Sequence, residues 1–188
     1  MELHLFEDSS GSLAFSKDYS FFNMKSLYIV RHAKSSWEDS SQSDFDRGLN
    51  ERGKRDAPRM AKRLKEKEIH PDLMLSSPAK RALATAKRIA EGLNYSKKDI
   101  KTDQKLYHAD EDTILSVIHT IKDKYNTVVL FGHNPGLTDF VNILVAEETN
   151  IDNIPTCGVV AFSLYVESWK DVSWASAKLL FFDYPKAL

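Results

Sequence analysis

The residues best suited to chemistry are two histidines that each follow directly on a β-prone apolar run: His32 in Arg31-His32-Ala33-Lys34 and His133 in Gly132-His133-Asn134-Pro135. Arg31 adjoins the first, and Arg81 falls in the first turn of an expected helix. A guanidinium offers a planar fork of donors that matches phosphoryl oxygens, and it stays charged at physiological pH. The same charge disfavours another cation nearby, so His32 is expected to have a lowered pKa and to keep the lone pair that nucleophilic attack needs. His133 is expected beside a helix N-terminus, where unpaired N–H groups favour an anion. This combination points to phosphoryl transfer. A histidine at a strand end is often only structural, and a helical arginine is usually a solvated face. Independent solvated residues would have no reason to follow apolar strands and mark helix starts together.

The elements that must position these groups follow from the pattern. Residues 27–30 form a short apolar strand that stops at Arg31, and residues 127–131 repeat the pattern before His133. A polar loop, with Trp37 and Phe45 as its apolar anchors, fills residues 35–48. A helix capped by Asn50 follows, with Ala57, Met60, Ala61 and Leu64 at helical spacing and Pro58 expected to bend it. A second strand is expected over 72–75. Ser76-Ser77-Pro78 then reads as a cap with proline at the first helical position, opening the helix that carries Arg81. Ile114, Val117, Ile118 and Ile121 predict a helix running to Lys124. Asn134 and Pro135 would cap and open another, with Leu137, Phe140, Val141 and Leu144 buried. Strands over 158–166 and 173–182, joined by a short polar connection, would close the chain as an antiparallel hairpin. The implied fold is a three-layer α/β/α domain with a mostly parallel central sheet and an antiparallel C-terminal edge strand. In such sheets ligands bind beyond the carboxyl ends of the strands, where Arg31, His32 and His133 fall.

Composition narrows the classes. A chain of 188 residues with formal net charge −1 suits one domain and offers no broad positive field for nucleic acid or an anionic membrane. Cys157 is the only cysteine, which excludes an internal disulfide framework and a cysteine-built metal cluster and fits a reducing, cytoplasmic setting. The apolar runs are strand-sized, so no membrane span is expected. Residues 1–23 have acidic Glu2, Glu7 and Asp8 where a secretory signal would be basic. They read as an N-terminal extension preceding a single domain over 24–188. His4, His70 and His119 lack metal-ligand spacing, and no metal or cofactor is expected.

The run from Leu27 to Ser35 resembles the motif of the histidine phosphatase superfamily, in which a strand ends in Arg-His-Gly; here the third residue is Ala33. Ser76-Ser77-Pro78-Ala79-Lys80-Arg81 resembles that family's Ser-Ser-Pro segment with its phosphate-binding arginine. Gly132-His133-Asn134-Pro135 resembles its second histidine motif. The stretch from Phe45 to Gly53 is similar to the connecting segment of the small SixA-type phosphohistidine phosphatases, which share the phosphoglycerate mutase-like fold.

This resemblance implies His32 as nucleophile, Arg31 and Arg81 as phosphate ligands, and His133 as a phosphate ligand that stabilises the transition state, with Lys34 and Asn134 at the pocket rim. Glu38 stands where mutase-type relatives carry asparagine, which argues against mutase chemistry. The family's Leu-x-Glu acid is replaced by Leu106-Tyr107-His108. His108 is therefore a candidate general acid, beside Asp110 and Glu111, which equally suit helix capping. An absent carboxylic acid suits a labile P–N bond. The chain between Arg81 and His133 is too short for a capping domain, which suits a phosphorylated protein as substrate. The competing expectations are a phosphatase for small phosphate monoesters, a non-catalytic phosphate-binding module and a metal-dependent phosphoesterase.

Overall fold

The computed structural model describes residues 24–37, 41–145 and 150–187. The expected N-terminal extension, and Glu38 in the loop, lie outside the described residues. The elements run β1 (Lys25–Arg31), α1 (Glu51–Glu66), β2 (Leu73–Ser76), α2 (Lys80–Gly92), β3 (Lys101–Thr102), α3 (Glu111–Ile118), β4 (Thr127–Gly132), α4 (Gly136–Leu144), β5 (Val159–Leu164) and β6 (Ala177–Asp183). Short 3-10 turns occupy Gln104–Leu106 and Trp169–Asp171.

The sheet order is β3-β2-β4-β1-β5-β6. The pairs β1–β4, β2–β4 and β2–β3 are parallel, whereas β5 runs antiparallel to both β1 and β6. The mostly parallel sheet with an antiparallel C-terminal hairpin is thus present.

Strand residues alternate between two cores because successive side chains leave opposite faces of a pleated sheet. Leu27 and Ile29 of β1, with Val128 and Leu130 of β4, pack towards Val117, Ile118, Phe140 and Val141 of α3 and α4. Tyr28, Val30, Val129 and Phe131 face Ala57, Met60, Ala86 and Ile89 of α1 and α2. Helices on both faces bury the central strands on both sides, which explains their continuous apolar sequence. The helices following β1 and β4 lie on opposite faces, so the chain diverges at the carboxyl ends of these adjacent strands. A crevice opens there.

Several boundaries differ from expectation. The helix α2 begins at Lys80, with Ala79 at its N-cap and no side-chain cap. Ser76 still belongs to β2, and Ser77 N–H bonds to Phe131 O at 2.9 Å, so the chain leaves the sheet later than the Ser-Pro pattern suggests. The helix α3 stops at Ile118 rather than Lys124. Turns from Thr120 N to Val117 O and Ile121 N to Ile118 O keep Ile121 buried after the helix ends, so the apolar period outlasts the helix. Pro58 lies inside an uninterrupted α1, whose Asn50 cap accepts from Gly53 N–H at 2.9 Å. The β5–β6 connection is longer than expected and partly core. Trp169 within it is fully buried and donates Nε1–H to Tyr125 O at 2.7 Å. No helix among the described residues is long and apolar enough to cross a membrane.

Candidate active site

Register places the two histidines together. Arg31 of β1 is opposite Gly132 of β4, and His32 N–H bonds to Gly132 O at 3.1 Å, so both strands deliver the next residue to one point. The His32 and His133 ring centroids are 5.1 Å apart. His32 Nδ1–H donates to Ala33 O at 2.8 Å, which leaves Nε2 with the lone pair. That lone pair accepts Arg81 Nε–H at 3.3 Å. The loop after β1 is tied to α2 by Ala33 N–H donating to Thr85 Oγ1 at 2.9 Å, while the Thr85 hydroxyl donates to Arg81 O at 2.7 Å. Burial first, then the charges of Arg81, Arg31 and Arg47, pushes the His32 pKa down to about 4, partly opposed by the Ala33 hydrogen bond. The depressed pKa expected from the sequence is present, with desolvation rather than the arginines as its main cause.

His133 Nε2 lies 2.8 Å from Ser77 Oγ, which also accepts Ala79 N–H at 3.3 Å. The expected capping serine is therefore turned towards the second histidine. Burial and then the Arg81 charge lower the His133 pKa to about 3. His133 O accepts Leu137 N–H at 3.1 Å, placing the residue against the first turn of α4. Asn134 does not cap that helix. It donates Nδ2–H to Thr138 Oγ1 at 2.7 Å and to Asn153 Oδ1 at 2.8 Å, because Pro135 occupies the N-cap position.

Arg31 donates to Ile154 O at 2.6 Å and Asn153 Oδ1 at 3.2 Å. Its Nε, together with Arg47 Nε and His133 Nδ1, is buried without a protein partner among the described residues. Buried nitrogens of this kind ordinarily find an acceptor. All three belong to residues lining one cleft of ≈ 260 Å³, which also includes His32, Lys34, Arg81, His108 and Asn134. An acceptor-rich anion fits such a lining. Gly53 lets α1 approach the Lys34 backbone: a Cβ there would meet Lys34 O at 2.2 Å.

The residues that sequence reasoning missed are Asp44, Arg47 and Tyr107. Arg81 donates to Asp44 O at 2.5 Å and to Asp44 Oδ2 at 2.9 Å. Tyr107 OH donates to the same Oδ2 at 2.9 Å, and Arg47 holds Oδ1. Arg47 also donates to Ser35 Oγ at 3.1 Å and covers the Trp37 ring at 3.5 Å. Burial opposes ionisation of Asp44, but hydrogen bonds from Arg47 and Tyr107 and the Arg81 charge outweigh it and hold the carboxyl well below the usual range. The opposite charges of Asp44 and Arg47, three residues apart in the polar loop, were the available signal.

His108 stands at the cleft edge with a left-handed backbone (φ 54°). Its Nε2 is 3.2 Å from Asp44 Oδ2, and its ring stacks on His133 at 5.6 Å. Gly136 permits this approach, since a Cβ there would meet Ala109 O at 1.9 Å. Asp110 is engaged as the α3 cap, accepting Thr113 N–H at 2.9 Å, and Glu111 occupies that helix's first turn.

Comparison with known proteins agrees with this arrangement. Residues 27–110 match the model of the histidine phosphatase superfamily (branch 1). The solved SixA structure from Agrobacterium tumefaciens superimposes with a TM-score of 0.72 at 29% identity, covering 86% of this chain and 98% of that one. An uncharacterised chloroplastic protein of Arabidopsis thaliana is 28% identical over 77% of this chain and 69% of its own length. Phosphoserine phosphatase 1 of Hydrogenobacter thermophilus is 42% identical over 38% of this chain and 34% of its own length. Motifs, sheet order and matched relatives converge: over residues 27–110 the chain is similar to the histidine phosphatase superfamily, and its fold is that of the solved SixA structure.

Proposed function

We propose that this phosphatase transfers a phosphoryl group from protein phosphohistidine to His32 Nε2 and then hydrolyses the phosphoenzyme. The observation that carries the reading is the tautomer of His32. Ala33 O accepts the hydrogen bond of Nδ1–H, so the Nε2 lone pair of a neutral, buried imidazole faces the cleft beside Arg81. In-line attack forms the P–Nε2 bond as the bond to the leaving group breaks. The charge that gathers on the equatorial oxygens is met by Arg31, Arg81 and His133, with Lys34 and Asn134 at the rim. Arginine neighbours repel a divalent cation, so the step runs without a metal. A protein substrate is supported by the chain between α2 and β4, which carries only β3, a 3-10 turn and α3 and leaves the cleft without an inserted cap. The cell's reducing cytoplasm is the setting that suits the lone Cys157.

The test is incubation with a phosphohistidine protein in excess EDTA, followed by a rapid quench. Wild type is expected to turn the substrate over and to carry acid-labile phosphate, whereas His32→Ala carries none. Label retained on His32→Ala would exclude this nucleophile, and loss of turnover in EDTA would exclude metal-free chemistry.

A second reading, a phosphatase for small phosphate monoesters, is favoured by the match to phosphoserine phosphatase 1 over 38% of the chain. There His108, at the cleft edge, would protonate the leaving alkoxide. Higher kcat/KM for sugar or amino-acid phosphates than for phosphohistidine would establish it.

A further inference from the structure

The cleft holds Arg31, Lys34, Arg47 and Arg81, yet Asp44 also lines it and is the one carboxylate among the described lining residues. A carboxylate beside a phosphate seat repels the substrate unless it meets a different part of it. Arg47 grips Oδ1, while Oδ2 is shared by Arg81, Tyr107 and His108. The Asp44 side chain is 39% exposed, against 3% for Arg81, so it stands at the mouth over the buried floor. A phosphoryl group seated on Arg81 displaces Oδ2 from that guanidinium. Arg47 keeps the carboxylate anchored meanwhile, leaving Oδ2 beside the outward-facing leaving group.

We infer that Asp44 is a catalytic residue that selects an imidazole leaving group, accepting the N–H of the phosphorylated ring's far nitrogen. This rests on the phosphohistidine reading above. A phosphorylated imidazole protonated on its far nitrogen is an N-phosphoimidazolium, and its P–N bond is the labile one. The His32 Nε2 lone pair forms the new bond to phosphorus as the old P–N bond breaks. That electron pair stays on the leaving nitrogen, and the ring departs neutral, still carrying its far N–H on Asp44. No proton reaches the leaving atom, so the step requires no general acid at the place where the family's glutamate is missing. His32 becomes the phosphoimidazolium, with its Nδ1–H held by Ala33 O. Water then attacks phosphorus, the pair returns to His32 Nε2, and dihydrogenphosphate leaves with both water protons. The hydrogen bond is charge-assisted on both sides, the stronger kind. A flat aromatic leaving group also has a surface to lie on, since the Phe45, Tyr107 and His108 rings adjoin Asp44, with centroids 5.1 Å and 4.2 Å apart in succession. Esters whose leaving group bears a carboxylate are repelled by the same charge.

The test compares kcat/KM for a phosphohistidine peptide and for p-nitrophenyl phosphate, whose leaving group needs neither proton nor hydrogen bond. Asp44→Asn is expected to lower the first by tenfold or more and to raise the second severalfold, because Arg81 loses its internal competitor. Asp44→Glu, which keeps the charge, should recover at least part of the phosphohistidine preference, and unchanged thermal unfolding of both variants shows that the loop is intact. If both substrates move in the same direction in Asp44→Asn, or neither moves, Asp44 does not select the leaving group. If the variant loop is disrupted, preference is read in wild type with a peptide whose phosphorylated imidazole is methylated on the far nitrogen: retained turnover overturns the inference, and a tenfold loss upholds it. Failure of the parent reading looks different, since wild type itself would then not turn over phosphohistidine.

Discussion

The floor and the mouth of the cleft are built by different means. On the floor, His32 and His133 hang from the ends of two adjacent, mostly buried strands, and short bonds to Ala33 O and Ser77 Oγ fix both rings. At the mouth, Asp44, Arg47, Tyr107 and His108 come from two loops that meet through ion pairs and ring contacts. The floor owes its geometry to the sheet and, under the proposed function, presents the nucleophile to the phosphoryl group. The mouth owes its geometry to mutual attraction among charges, and under the inference about Asp44 the choice of the substrate's other half falls to it. The proposed division puts chemistry on strand ends and selectivity on loops, the usual arrangement of binding loops over a rigid scaffold.

The largest effect that can break this division, beyond loss of His32 itself, comes from Arg81, which serves both parts. Its Nε–H meets His32, while its other nitrogens hold Asp44. Arg81→Ala is expected to lower kcat about 10²–10³-fold on every phosphorylated substrate, the usual cost of removing a transition-state donor. Stopped-assay kinetics on a phosphohistidine peptide and p-nitrophenyl phosphate provide the check. A loss confined to one substrate would place Arg81 in the mouth alone.

His108 should behave otherwise. A general acid contributes about 10²–10⁴-fold where the leaving group needs a proton. His108→Ala is therefore expected to lower turnover of an alkyl phosphate by about 10²-fold and of a phosphohistidine peptide by no more than a few-fold. Equal losses would merge mouth and floor into one functional unit.

The same division governs what was legible in the sequence. The floor could be read because it is local: an apolar strand that ends in Arg31-His32, and a second that ends in Gly132-His133, announce their own termini. The unbroken apolar runs of β1 and β4 likewise announce burial on both faces. The mouth could be read only at His108, because nothing local links Asp44 to Arg81 or His108 across the fold. Ser77 looked like a helix cap because Ser-Pro usually is one, whereas α2 starts only at Lys80 and the Ser77 hydroxyl meets both Ala79 N–H and His133. Asp110 shows the reverse, since its local capping signal was the correct one.

The smallest expected effect sharpens the comparison through stability rather than rate. Burial lowers the pKa of His32 to about 4 and of His133 to about 3, while both titrate near 6.5 in the unfolded chain. Between those values the unfolded state binds protons that the folded floor refuses, so stability must fall as pH drops below 6.5. At pH 5 the cost is about 2 kcal/mol for each histidine, from 1.36 kcal/mol per unit of pH over the interval. Carboxylates such as Asp44 act in the same direction but only nearer their own ordinary range, so a variant must separate the contributions. His32→Asn is expected to lose less stability than wild type between pH 7 and pH 5 in denaturant unfolding, with a difference of about 2 kcal/mol. Imidazole NMR of wild type should show the His32 midpoint near 4. A midpoint near 6.5 would mean that the floor admits water and charge as readily as the mouth, and the contrast between them would collapse.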